Sequence, residues 1–373
     1  MPRPALAAPL VLLAALCGAT AAQAQSSVTL YGSLDQYLNY MRSSSGARLK
    51  TLNDGAFLRS RWGVRGSEDL GGGLVAKFQL EAGLGADTGT MADSARSFDR
   101  QSWVGLGSPY GEVRFGRQNT AIFYRGDYID FSSRTLGSIV NTFGVPSRFD
   151  NDISYLSPRI AGLMFEAHLA IGESPLGARS QAIYQASVDY LNGPLRVGYA
   201  GLRARPPAGA AFSRDVAYDN VYGNYDYGAG KVYLVYVRSN NSASSAVSNN
   251  ANTVLGNVGA LVTGTVADVN RFYNIVQVSA DYNVTPQLRI GALWGRIDDT
   301  SSTNRDASGG SIGAYYALSK RTTLLALVDT LRNSTNGGFR PAGSAGLSPN
   351  FATPNDVNGR TMTGVQVGVV HRF

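Results

Sequence analysis

Apolar and polar residues alternate along much of this chain with a period of two, the spacing of strands whose two faces meet different surroundings. At the carboxyl end Phe373, His371, Val369, Val367 and Val365 form one set, while Arg372, Val370, Gly368, Gln366 and Gly364 form the other. Leu58, Trp62 and Val64 likewise oppose Arg59, Arg61 and Arg65. A third stretch sets Leu74, Ala76, Phe78, Leu80 and Ala82 against Val75, Lys77, Gln79 and Glu81. Sixteen strands are predicted, over 27–41, 56–67, 73–83, 98–106, 112–119, 148–156, 161–170, 181–190, 195–202, 215–227, 231–238, 270–282, 287–298, 309–318, 322–331 and 360–373.

The spaces between them alternate in length. Short turns fall at 68–72, 107–111, 191–194 and 283–286, and long polar connections near 42–55, 84–97, 120–147, 239–269 and 332–358. Short turns at one end and long loops at the other are the pattern of an outer-membrane barrel. A strand running to the last residue fits, because an unpaired sheet edge in lipid leaves backbone groups unsatisfied. The pattern predicts an all-β fold, a 16-stranded antiparallel transmembrane barrel. An ordinary sheet with one solvated face is the alternative.

Composition narrows the setting. Arg3, the apolar stretch from Ala5 to Leu16 and Ala22-Gln23-Ala24 read as a secretory signal over 1–24, leaving one barrel domain over 25–373. Cys17 is the sole cysteine and lies in that signal, so the mature chain is expected to form no disulfide. Leu16 before it does not suit lipid attachment. The formal charge is +7, with arginines dispersed along strands rather than gathered in a tail or recognition helix, so no nucleic-acid partner is expected.

Catalytic chemistry finds little support. His168 and His371 stand alone on different predicted strands, without a local nucleophile–base pattern. Gly71-Gly72-Gly73 leads into a strand rather than a helix, so it is no phosphate loop. Asp298 and Asp299 do not have metal-site spacing. No enzyme activity, no cofactor and no assigned metal site are expected.

The segment 120–147 is too long for a simple hairpin and mixes Tyr124, Arg125, Asp127, Tyr128, Asp130, Phe131 and Arg134. Folded inward, as a third external loop, it would narrow a barrel too wide for side chains to fill. Folded outward, it would cover the mouth. Arg59, Arg61, Arg100, Arg117 and Arg148 are candidates for a positive wall facing Asp127 and Asp130 on the loop, with Tyr124 and Tyr128 as possible solute contacts. Opposed charges bias which ions pass, and the excess of arginines leans weakly toward anions. Each arginine also suits a structural ion pair or a lipopolysaccharide contact at the rim.

Several blocks carry a resemblance. Arg59-Ser60-Arg61-Trp62-Gly63-Val64-Arg65-Gly66-Ser67-Glu68-Asp69-Leu70-Gly71-Gly72-Gly73-Leu74, Phe115-Gly116-Arg117-Gln118 and the run from Arg148 to Pro158 resemble the general porins of beta-proteobacteria. Val28-Thr29-Leu30-Tyr31-Gly32 and Phe373 match the ends of that family. The resemblance implies a 16-stranded barrel in the outer membrane of a Gram-negative bacterium, usually a homotrimer, with the third loop folded into each pore. It also implies contact with outer-membrane lipids and lipopolysaccharide, and passive diffusion of ions and small hydrophilic solutes. It points to Arg59, Arg61, Arg117 and Arg148 as wall arginines facing Asp127 and Asp130. Two departures stand out: His371 where a tyrosine is frequent, and Asp152 where serine is frequent, adding negative charge close to Arg148. A solute-specific porin with a saturable site is the alternative, and a non-conducting structural barrel or adhesin a more distant one.

Overall fold

The computed structural model describes residues 26–172, 182–205, 214–241, 271–344, 351 and 353–373. The expected signal over 1–24, and nearly all of the expected loop 239–269, lie outside the described residues. Eighteen hydrogen-bonded segments form one continuous antiparallel sheet. Thr90–Met91 is a two-residue ladder on a wall strand, and Arg48–Asp54 and Arg61–Gly71 are two parts of another, so the wall has sixteen strands. In chain order they are β1 Ser27–Ser43, β2 in those two parts, β3 Leu74–Gly85, β4 Gln101–Ser108, β5 Gly111–Asn119 and β6 Arg148–Leu156. Next come β7 Leu163–Ala170, β8 Ile183–Asn192, β9 Leu195–Ala204, β10 Val216–Asp226 and β11 Lys231–Ser239. The last five are β12 Tyr273–Asn283, β13 Leu288–Asp299, β14 Ala307–Ala317, β15 Thr322–Asn333 and β16 Thr361–Arg372.

β16 pairs with β1 and closes the barrel. Past its end, Phe373 and Gly32 exchange two backbone hydrogen bonds of 3.1 Å. The terminal alternation is realised: Val365, Val367, Val369 and Phe373 are exposed, while Gln366 and Val370 are buried. Outward-facing Val104, Trp294 and Ile312 continue the apolar band around the wall.

Two expectations about the first hairpin are corrected. The long loop expected over 42–55 is a tight turn followed by Arg48–Asp54, which pairs with the outer half of β1. Its Arg48, Lys50, Thr51 and Asn53 make a strand look like a polar loop. The strand expected from 56 instead resumes at Arg61. Asp35 Oδ2 accepts from the amides of Phe57 at 2.7 Å and Leu58 at 2.6 Å, drawing that stretch out of the ladder.

The wall face opposite the apolar band is not uniformly polar. Tyr218, Val235, Val237, Tyr273 and Ile275 lie on the face opposite the exposed one and are buried against Ile129, Phe131, Ile139, Val140 and Phe143 of the 120–147 segment. Burying one large apolar side chain stabilises by about 1.5–3 kcal/mol. The third loop and one side of the wall therefore form a shared core.

Candidate pore site

Two short helices and a turn organise the loop. Thr120 caps α1, Ala121–Tyr124, by accepting from the Phe123 amide at 2.9 Å, and a 3-10 turn follows at Arg125–Tyr128. Ser138 caps α2, Ile139–Phe143. Between them Asp130 accepts from the amides of Ser132 and Arg134, both at 2.9 Å, and from the hydroxyls of Ser132 and Ser138, both at 2.8 Å. Ser133 and Arg134 have φ of +57° and +56°, a left-handed conformation costing about 1–2 kcal/mol per residue without glycine. Asp130 offsets that cost by fixing the turn from within.

The loop is fastened to the polar face of the distant wall. Gln277 and Ser279 alternate with the exposed Val276 and Val278 on β12. Gln277 Oε1 accepts from the amides of Ile139 at 2.7 Å and Val140 at 3.2 Å, at the start of α2. Ser279 Oγ accepts from the Phe131 amide at 3.0 Å, and Arg289 donates to the Phe131 carbonyl at 2.8 Å. Phe131 lies edge-on to Tyr315, with centroids 6.1 Å apart. It reaches the wall because Gly291 and Gly313 leave room; a Cβ at Gly313 would sit 3.1 Å from the ring, and one at Gly291 would collide with it.

At its near end the loop is held by charge. Arg125 lies 2.5 Å from Glu166, whose other oxygen is 2.9 Å from His168 Nε2, and His168 Nδ1 is 2.7 Å from Asp152. All four side chains are buried. Asp152 therefore pairs with His168, so the expectation that its charge acts beside Arg148 is corrected. His168 is an inward-facing structural residue. The partners in this chain come from two strands and the loop, so no single local motif announced them.

The structure pairs four of the five candidate arginines with carboxylates. Arg59 lies 3.7 Å from Asp54, Arg61 and Arg100 share Glu81 at 3.4 and 2.6 Å, and Arg117 is 2.6 Å from Asp150. Arg148 donates to Ser147 Oγ at 3.2 Å and stands over the Phe123 ring, 4.9 Å from its centroid. Arg134 lies over the same ring at 4.3 Å. The Nε and Nη2 of Arg148 have no hydrogen-bond partner among the described residues. Arg61 has a side chain 26 % exposed, whereas Arg59, Arg100, Arg117 and Arg148 are buried.

The two loop acids have different fates. Asp130 is buried within the loop, and only Asp127 keeps an exposed side. Desolvation by surrounding protein pushes the Asp127 carboxyl up from its ordinary value, while Arg134 and Arg61 pull it back. The tyrosines are already engaged: Tyr124 accepts from Arg114 at 3.1 Å, and the Arg196 guanidinium lies 3.4 Å from the Tyr128 centroid. Arg134, Arg196 and Gln277 join the site without having been picked out as site residues, because only the folded loop brings them to it.

Comparisons with known proteins agree with this architecture. The Gram-negative porin family matches residues 7–336. An outer-membrane porin protein of Bordetella pertussis is 30 % identical, over 97 % of this chain and 98 % of the relative. Outer membrane porin protein 32 of Delftia acidovorans is 28 % identical, over 98 % and 99 %. Among solved structures, the anion-selective porin from Comamonas acidovorans superposes with a TM-score of 0.73 at 24 % identity, covering 94 % of this chain and 100 % of that one. With a closed sixteen-stranded wall, an apolar outer band and these relatives, the chain belongs to the Gram-negative porin family and is an outer-membrane β-barrel channel for passive transport.

Proposed function

We propose that this channel passes ions and small hydrophilic solutes with a weak preference for anions, and that the 120–147 loop folds into the lumen to form its narrowest part. The anchors on Gln277, Ser279 and Glu166 support the inward loop, because each belongs to the wall face opposite the apolar band. The observation that carries the anion preference is an imbalance of charge. Four of the five arginines pair with three carboxylates, Asp54, Glu81 and Asp150, and Arg148 pairs with none among the described residues. Guanidinium groups keep their charge under all ordinary conditions. The anion-selective description of the Comamonas acidovorans structure is consistent with this reading.

Residues 1–24 act as a cleaved export signal in this account, and three copies associate in a membrane whose outer leaflet carries lipopolysaccharide. One fold neighbour, OmpT of Vibrio cholerae, is described in a trimer form. The reversal potential of the reconstituted channel across a potassium chloride gradient tests the preference. A value on the chloride side supports it, and a value on the potassium side removes it. The solute-specific alternative gains no particular support, since Tyr124 and Tyr128 are both occupied by arginines.

A further inference from the structure

We propose that a second anion station lies on the short-turn side of the arginine wall and is built for small polyhydroxy carboxylates. The proposal rests on the channel reading above, but it uses a different set of residues. From Arg61 to Arg65 along β2 is four residues, about 13 Å at the rise of a strand. There a cavity of about 280 Å³ opens, lined in part by Arg65, Lys77, Gln79, Ser27, Thr29 and Ser67.

Charge and hydroxyl groups are arranged separately in this cavity. Glu112 holds Lys77 at 2.6 Å and Arg114 at 2.5 Å, and so offsets one of those two positive charges. Arg65 is exposed, stands 5.1 Å from the Tyr31 centroid and has no carboxylate partner among the described residues. The cavity thus retains an excess of positive charge, and its least engaged cation has the planar fork that fits a carboxylate. Beside it, the hydroxyls of Ser27 and Ser67 lie 3.1 Å apart, and Thr29 is opposite Arg65 in the ladder.

An aromatic acid is a poor fit. The one indole at the cavity, Trp103, is 8 % exposed, and the Arg114 guanidinium covers it at 4.4 Å from the ring centroid. Trp103 therefore offers no free face for stacking. A carboxylate on Arg65 with hydroxyls reaching Thr29, Ser67 and Gln79 uses what is present.

Gluconate and hexanoate separate these terms, because both are six-carbon carboxylates and only one carries hydroxyls. Each is added to either side of a single reconstituted channel carrying chloride current. Gluconate is expected to block at a concentration at least tenfold lower than hexanoate, and more readily from the short-turn side. Arg65→Gln should raise the gluconate value about tenfold and Arg65→Lys by less, while Thr29→Val with Ser67→Ala should bring gluconate down to the level of hexanoate. Equal block by the two acids, or an Arg65→Gln channel blocked like the native one, overturns the station. Block by inorganic phosphate as strong as that by gluconate overturns the polyhydroxy specificity. Only inserted, conducting channels are scored, so a folding defect cannot imitate loss of binding. Chloride preference without gluconate block defeats the station alone; gluconate block without chloride preference defeats the arginine-wall reading alone.

Discussion

Gln277 Nε2 lies 2.8 Å from Oδ2 of Asp130, joining a wall residue to a loop residue 147 positions away in sequence. The same amide uses its oxygen to receive the start of α2. One side chain thus satisfies both the loop's internal carboxylate and two helix amides. Gln277→Ala would leave the Ile139 and Val140 amides without this acceptor, at about 1–3 kcal/mol for each group that stays buried, and would take one donor from Asp130. We expect a lower thermal unfolding temperature and noisier single-channel current, with barrel assembly retained.

Phe131 needs the space above two glycines. Gly291→Val would place branched carbon where the ring now rests, and repacking such a site costs about 1–3 kcal/mol. The loop should shift off the wall and change single-channel conductance. The smaller change Gly291→Ala should have the same direction and a smaller size. Conductance unchanged in both variants would show that this contact does not set the aperture.

Neutralising the wall tests selectivity rather than folding. Arg148→Met removes a guanidinium that pairs with no carboxylate among the described residues, so no acid is stranded by the change. Arg117→Gln leaves Asp150 in contact with Arg96 at 2.8 Å. Both variants are expected to insert and to show a reduced chloride preference by reversal potential. Unchanged values in both would take these residues out of the filter.

Acid should strengthen the anion preference. The Asp127 carboxyl is pushed above its ordinary value, mainly by desolvation, so it gains a proton at a pH higher than an exposed aspartate would. Protonation removes a negative charge from the loop while the arginines stay charged. The reversal potential should therefore move toward the chloride limit as pH falls through that range. Asp127→Asn should already be there at neutral pH and should lack this step. A movement toward potassium on acidification would contradict the placement of Asp127 on the ion path.

Glu166 anchors the other end of the loop. Glu166→Gln keeps the shape but removes the charge that faces both Arg125 and His168. Breaking a buried pair on one side costs about 3–5 kcal/mol. Faster current flicker and a lower unfolding temperature are the expected readouts, and stability equal to the native channel would count against the anchor.

Much of the wall was legible along the chain because lipid enforces a period of two: Val365, Val367 and Val369 must face it, and each neighbour must not. Strand order followed as well, since antiparallel neighbours in sequence are neighbours in the barrel. The first hairpin was less legible, because Arg48–Asp54 is a strand written in loop-like residues and the contacts of Ser33, Asp35 and Ser60 hold the stretch where it is interrupted. Arg59, Arg61, Arg100, Arg117 and Arg148 could be picked out as basic residues on or beside strands, but the pairing of the first four with three carboxylates could not. Asp127 and Asp130 look alike in sequence, three residues apart. Only the fold of the loop separates them, burying one as the centre of a hydrogen-bond network and leaving the other exposed. Sequence alone determined what each face of a strand must be, because that is a local response to lipid or water. Tertiary structure decided which charges meet, because those meetings depend on how a long loop crosses between distant strands.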